Sequence, residues 1–185
     1  LVPHTQSRLI SQKNQPKGIT TRSNQVPEYN RTQIILPWVI AALVVFQFVG
    51  HDDIAEYSEA VRKGLEVEAI PVFARAHVLL GILTLILAVW RVFLRITRGA
   101  PELPAEENAA LKVVAKLTHL VLYAALFIMP FSGIGAWFVG VETATTVHTT
   151  FKFVVLASVA LHVVGALYQH YVLKTGLIKR MMKAG

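Results

Sequence analysis

The chain has 185 residues, and 54% of them are hydrophobic, which is too apolar for an ordinary soluble domain of this length. The formal net charge is +7, but Lys and Arg are grouped beside apolar stretches, so the charge predicts no nucleic-acid partner. The absence of cysteine excludes disulfides, thiolate-bound zinc and iron–sulfur clusters.

The chain divides into a polar tail and an apolar region. Residues 1–28 are polar and basic, and we predict that they form a disordered cytoplasmic tail. Residues 29–185 are predicted to form one transmembrane domain embedded in lipid. Its four spans lie near residues 34–49, 71–96, 113–139 and 147–173, and each is apolar around its whole circumference, as helices in a bilayer are. The sequence therefore predicts an all-α, four-helix transmembrane bundle.

The connections between the spans differ in charge, which predicts the orientation of the bundle. The first connection is acidic, and the third, residues 140–146, has no Lys or Arg. Basic residues instead cluster in the tail, in the second connection with its flanks, and at the C-terminus: Arg8, Lys13, Lys17, Arg22, Arg31, Arg91, Arg95, Arg98, Lys112, Lys116, Lys174, Lys179, Arg180 and Lys183. By the positive-inside rule, both termini are predicted to lie in the cytoplasm and the protein in the bacterial inner membrane.

Two histidines share one face of the fourth span. His148 and His162 are fourteen residues apart, close to four helical turns and about 21 Å along the axis. Ionisable side chains inside a membrane span are costly and usually functional, so this spacing suggests two haems, one near each surface. The alternative is that each imidazole is satisfied by a neighbouring hydroxyl or carbonyl group. His77, in the outer half of the second span, is the predicted partner of His148, because two axial imidazoles on separate helices complete a haem site.

Three further residues are candidates for supporting roles. Arg75 precedes His77 by two residues and is a candidate for pairing with a haem propionate, or alternatively a snorkelling interfacial cation. His119, in the inner half of the third span, is a candidate haem ligand or quinone contact. His170 follows His162 by eight residues, which rotates it about 80° off the haem face. It suits a quinone or propionate contact, or an interfacial histidine without a function.

Short motifs across residues 29–183 resemble those of the bacterial cytochrome b561 family. The residues that carry the resemblance are Tyr29, Arg31, Gln33, Ile34 and Trp38 in the first segment, Arg75-Ala76-His77-Val78-Leu79-Leu80-Gly81 in the second, Lys116-Leu117-Thr118-His119-Leu120 with Tyr123 in the third, and Leu161-His162, His170-Tyr171, Leu177, Arg180, Met181 and Met182 at the end. The resemblance implies a small inner-membrane haem b protein that exchanges electrons between a periplasmic donor and a quinone such as ubiquinone.

The resemblance also assigns ligands. His77 and His148 would bind the outer haem, and His162 would bind the inner haem together with a histidine just before the first-span tryptophan. Pro37 occupies that position here, and proline cannot bind iron. Three outcomes follow for the inner site: no haem, a five-coordinate haem on His162, or a replacement ligand such as His119.

Two readings of function follow from these residues. In the first, the protein is an electron carrier or a quinone-linked oxidoreductase, and one branch of the family resembles a superoxide oxidase. The acidic first connection disfavours an anionic donor, since its charge would repel it. In the second, the missing ligand at Pro37 and the long basic tail indicate a degenerate cytochrome that serves as a structural or docking subunit among the other subunits of a membrane redox complex.

Overall fold

The computed structural model describes residues 31–99, 108–176, 178 and 182. Within these ranges the chain forms helices and no strand: α1 (Arg31–Val49), α2 (His51–Arg62), α3 (Val72–Arg98), α4 (Ala109–Ile134), a π-helical turn (Gly135–Val139) and α5 (Glu142–Tyr171). The predicted disordered tail, residues 1–28, lies outside the described residues.

Four of the helical segments are long and apolar enough to cross a membrane: Arg31–Val49, Val72–Arg98, Ala109–Val139 and Glu142–Tyr171. The predicted all-α bundle of four spans is therefore confirmed. The orientation of the termini stays a prediction. We call the end of the bundle that carries α2 the acidic end, and the opposite end, where α1 begins and α5 finishes, the basic end.

The largest difference from the predicted spans is at α5, which begins five residues earlier than expected. Only Gly140 and Val141 separate it from the preceding turn, and Gly140 has the positive φ of 72° that this reversal requires. The extra residues are polar in sequence, but their hydroxyls are accommodated inside the helix. Thr145, Thr146 and Thr149 each donate a hydrogen bond to the carbonyl four residues earlier.

The long helices pack in the order α1, α3, α4, α5. A small apolar core joins the first three through Leu36, Ile40 and Leu94, with Leu126 of α4 packed against it. In contrast, α5 packs along α4, and no Cα atom of α5 comes within 8 Å of one in α1 or α3. Among the long helices, the last helix therefore has its closest backbone approach to α4, and its Cα atoms stay more than 8 Å from those of α1 and α3.

An amphipathic helix, α2, occupies the connection for which only an acidic charge was predicted. The ring of Tyr57 packs 5.7 Å, centroid to centroid, from that of Trp137 and ties α2 to the π-helical turn. Asp52, Asp53 and Glu56 of the same helix are exposed. A 2.7 Å hydrogen bond from the Lys63 ammonium holds the pKa of Glu59 below its ordinary value. The acidic end therefore presents an ordered, negatively charged surface.

Candidate functional site

The acidic end contains a pair of histidines on two helices, α3 and α5, that have no Cα atoms within 8 Å of each other. His77 lies five residues from the start of α3 and His148 six residues from the start of α5, so both are about 8 to 9 Å inside the helix ends. Their ring centroids are 6.1 Å apart and the ring planes are inclined by 69°. The two imidazoles thus approach each other across the gap between α3 and α5.

Protein hydrogen bonds orient the ring of His148. Its Nδ1 lies 2.9 Å from the carbonyl oxygen of Met129, which can only accept, so Nδ1 carries the proton. The hydroxyl oxygen of Ser132 is 3.2 Å from the same nitrogen, and its own proton is donated to Ile128 at 2.7 Å. This arrangement leaves the lone pair of His148 on Nε2, the state in which a histidine binds a metal.

His77 is held through its backbone instead. Its carbonyl oxygen accepts a hydrogen bond of 3.1 Å from the Gln47 amide of α1. Its Nδ1 is buried and has no hydrogen-bond partner among the described residues. Because a buried polar atom without a partner costs about 1–3 kcal/mol, the ring is better suited to a ligand than to the apolar environment alone.

The separation of the two rings fits a haem iron between them. A coordinating imidazole nitrogen lies about 2.0 Å from its metal ion, and the ring centre is about 1.1 Å farther. Two axial imidazoles on one iron therefore have centroids about 6.2 Å apart. The observed 6.1 Å agrees with that requirement, so the residues at the acidic end fit a bis-histidine haem.

A second pair of histidines lies toward the basic end. His119 is ten residues from the start of α4 and His162 nine residues from the end of α5, so their depths match to within about 2 Å. Their ring centroids are 5.1 Å apart. Nδ1 of His119 donates to the carbonyl oxygen of Ala115 at 2.7 Å, which leaves its Nε2 lone pair available. The rings would have to separate by about 1 Å to hold an iron.

Pro37 does not take part in this second pair. It lies inside α1, and no Cα atom of α1 lies within 8 Å of one in α5. Among the described histidines, the ring beside His162 is that of His119 on α4. The structure thus places near His162 the residue that the sequence offered as a replacement ligand.

The other predicted site residues make no hydrogen bond or ring contact with either pair among the described residues. Arg75 is exposed at the acidic end. His170 packs against Tyr171, with centroids 4.8 Å apart, near the end of α5. At the basic end the guanidinium carbons of Arg91 and Arg95 lie 5.5 and 5.4 Å from the centre of the Tyr123 ring.

Two polar residues beside the acidic-end pair were missed from the sequence. The ammonium of Lys152 lies 3.1 Å from Nε2 of His51. The sequence does contain an indication of Lys152, because a lysine stands four residues after His148 in an apolar run. This spacing puts both side chains on one face of a helix. Nothing in the sequence indicated that His51 contacts Lys152, because the two residues lie on different helices that only the fold brings together.

Close packing at Gly133 leads to a testable prediction. A Cβ atom there would lie 3.1 Å from Cε1 and 3.2 Å from Nδ1 of His148, so Gly133→Ala should displace the ring by a few tenths of an ångström and weaken its hydrogen bond to Met129. We expect haem content to fall by half or more, measured as the haem-to-protein ratio of purified protein. In Gly135→Ala the new methyl meets Ala144 at 3.1 Å instead, and haem content should be kept. Equal losses in both variants would contradict the steric role of Gly133.

Comparisons with known proteins cover nearly the whole chain. Residues 28–184 match the family described as prokaryotic cytochrome b561. The chain is also 33% identical over 159 residues to cytochrome b562 of Cereibacter sphaeroides, in an alignment that covers 86% of this chain and 98% of that protein. These matches confirm the resemblance carried by the sequence motifs. The chain therefore belongs to the prokaryotic cytochrome b561 family, and it is a multi-pass bacterial membrane protein of the kind that binds haem b and transfers electrons.

Proposed function

We propose that this protein carries electrons between a donor on the periplasmic side and membrane quinone, using two haems. His77 and His148 hold one haem at the acidic end, and His119 and His162 hold the second toward the basic end. Haem b supplies reversible one-electron chemistry when bound, and filling both axial positions with imidazole favours electron transfer over oxygen binding. The helices keep the ligands in a dry, apolar setting at fixed depth.

The observation that carries the proposal is the presence of two depth-matched imidazole pairs joined by one helix. His148 and His162 both belong to α5, about 21 Å apart along its axis. Each meets a histidine from a different helix, with ring centroids 6.1 and 5.1 Å apart. Two such pairs across the thickness of the bundle support an electron path from one membrane surface toward the other.

The charge of the acidic end bears on the donor. With both termini in the cytoplasm, as the distribution of Lys and Arg favours, α2 lies on the periplasmic side. Its exposed carboxylates, Asp52, Asp53 and Glu56, repel small anions that approach the nearer histidine pair. A neutral or cationic donor therefore suits this surface better than superoxide.

The basic end suits a quinone. Quinone reduction takes up protons as well as electrons, so the site needs a group that exchanges protons near neutral pH. His170, half-buried near the end of α5, carries an imidazole, which can both donate and accept a proton. We assign the quinone headgroup to this end of the bundle, with His170 as its proton-exchanging contact.

Anaerobic mixing of the oxidised, detergent-solubilised protein with a short-chain ubiquinol tests this function. We expect the reduced b-type absorbance bands to appear, and His170→Gln to slow their appearance tenfold or more without changing haem content. Tyr171→Phe, a change at the neighbouring residue, should react at the wild-type rate. A haem-containing protein that ubiquinol does not reduce would contradict the quinone assignment. A protein purified without haem would contradict electron transfer and favour a docking subunit.

A further inference from the structure

A lysine lies within the last membrane span, beside the acidic-end histidines. Lys152 is half-buried on α5, ten residues from the start of the helix and one turn beyond His148. A charged side chain inside a span is costly and normally pairs with another polar group or lines a site. The side chain of lysine is long enough to reach back about one turn toward the membrane surface.

The partner that Lys152 reaches is His51, the first residue of α2. The Lys152 ammonium donates to Nε2 of His51 at 3.1 Å. Nε2 therefore holds the lone pair, and Nδ1 carries the proton, 3.5 Å from a carboxylate oxygen of Asp52. His51 is thus neutral in this contact and does not balance the charge of Lys152.

No other described residue balances that charge. Asp52 has an almost fully exposed side chain, and no described carboxylate oxygen lies within 4 Å of the Lys152 ammonium. A second contact, 5.4 Å to the centre of the Phe153 ring, is also neutral. A half-buried cation with only neutral partners attracts an anion.

The position of this cation indicates which anion it serves. Lys152 follows His148 by four residues on α5, so the two side chains lie on one face of the helix, and the hydrogen bond to Lys152 brings His51 to the same place. A haem held by His77 and His148 would carry two propionate carboxylates, which are anions that such a cation can pair with. Arg75, exposed at the same end, remains the candidate for one of them.

We propose that Lys152, with His51 beside it, binds one propionate of the haem at the acidic end. This inference rests on the proposed function, since it requires a haem on His77 and His148. Lys152 is a positioning residue: it fixes the orientation of the macrocycle and places a positive charge beside it. That charge favours the reduced state, which carries one negative charge more than the oxidised state.

Potentiometric titration of the intact protein tests the proposal. In Lys152→Gln the acidic-end haem should stay bound, but its reduced-to-oxidised ratio at a fixed potential should fall about tenfold, equal to a shift of about −59 mV for a one-electron couple. Lys152→Arg should restore most of the wild-type potential. Lys63→Gln removes a cation from the same end that is paired with Glu59, and it should leave the potential unchanged.

Reconstitution of the full chain with the dimethyl ester of haem b identifies the anion. Because the Lys152 charge acts on the iron whether or not the haem has free carboxylates, the readout here is the rate of haem dissociation. Lys152→Gln should speed the loss of haem b but not the loss of its dimethyl ester. Faster loss of the dimethyl ester as well would overturn the proposal, because Lys152 would then act without a propionate. The proposal would also be overturned if the reduction potential changed with anionic phospholipid but not with esterification of the haem, since the anion bound by Lys152 would then be a lipid headgroup. Failure of His77→Ala to change haem content would contradict the proposed function instead.

Discussion

Replacing His148 with alanine is expected to remove one haem from each chain. The substitution deletes one imidazole of the pair whose ring centroids are 6.1 Å apart. It also leaves Met129 and Ser132 without their shared hydrogen-bonding partner. Loss of supporting partners alone weakens metal sites about 10- to 100-fold, so loss of the ligand itself should empty the site. The haem-to-protein ratio by pyridine haemochrome and the reduced absorbance spectrum measure the effect.

His77→Ala should give the same spectrum as His148→Ala, and the double variant should lose no more haem than either single variant. His170→Ala is the control, because it removes a histidine from α5 without touching either pair. All variants should be recovered from the membrane fraction in similar amounts, which separates haem loss from failure to insert. Unchanged haem content in either single variant would contradict the assignment at the acidic end.

Replacing His119 with alanine is expected to remove the second haem, and a further change of Pro37 to histidine should restore it. His119 is the imidazole beside His162 in the described structure, with centroids 5.1 Å apart. Pro37 holds the position at which the family resemblance implies a ligand. The double variant should therefore regain two haems per chain, measured as above.

The Pro37 and His119 variants distinguish the possible states of the inner site. If His119 is the replacement ligand, wild type binds two haems, and Pro37→His alone adds none. If the site lacks a haem because it lacks a ligand, Pro37→His alone should raise haem per chain and His119→Ala should not lower it. If the haem is five-coordinate on His162, His119→Ala should keep both haems, with the high-spin spectrum of one of them unchanged.

The architecture could be predicted because it depends on properties that any membrane span must have. Apolar length predicts the four helices, and a fourteen-residue spacing predicts that His148 and His162 share a face. The boundary at α5 could not be predicted, because Glu142 and the following threonines suit a connection as well as a helix. The threonine hydroxyls donate hydrogen bonds to backbone carbonyls of the same helix, which makes these threonines compatible with a membrane span.

The candidate sites were harder to predict wherever a contact joins distant segments. Residues 101 apart in sequence form the Lys152–His51 pair, and no local pattern indicates such a contact. The contact between His119 and His162 was also hard to predict, since two side chains at the same depth in the membrane can touch but need not. Pro37 differs, because here the sequence motif itself indicates that an expected ligand is missing. The structure then shows that the packing of α4 against α5 places His119 beside His162.

The role of α5 in both pairs has a consequence for biosynthesis. This helix contributes one histidine to each pair and follows the other spans in the chain. A nascent chain that has inserted α1 to α4 carries His77 and His119 but neither of their partners. On the proposed assignment of the ligands, we expect stable haem binding only after α5 enters the membrane and folds back along α4 through the two-residue turn. In this arrangement, haem binding indicates that all four spans have assembled. We expect a protein truncated before α5 to bind no haem and therefore to be colourless.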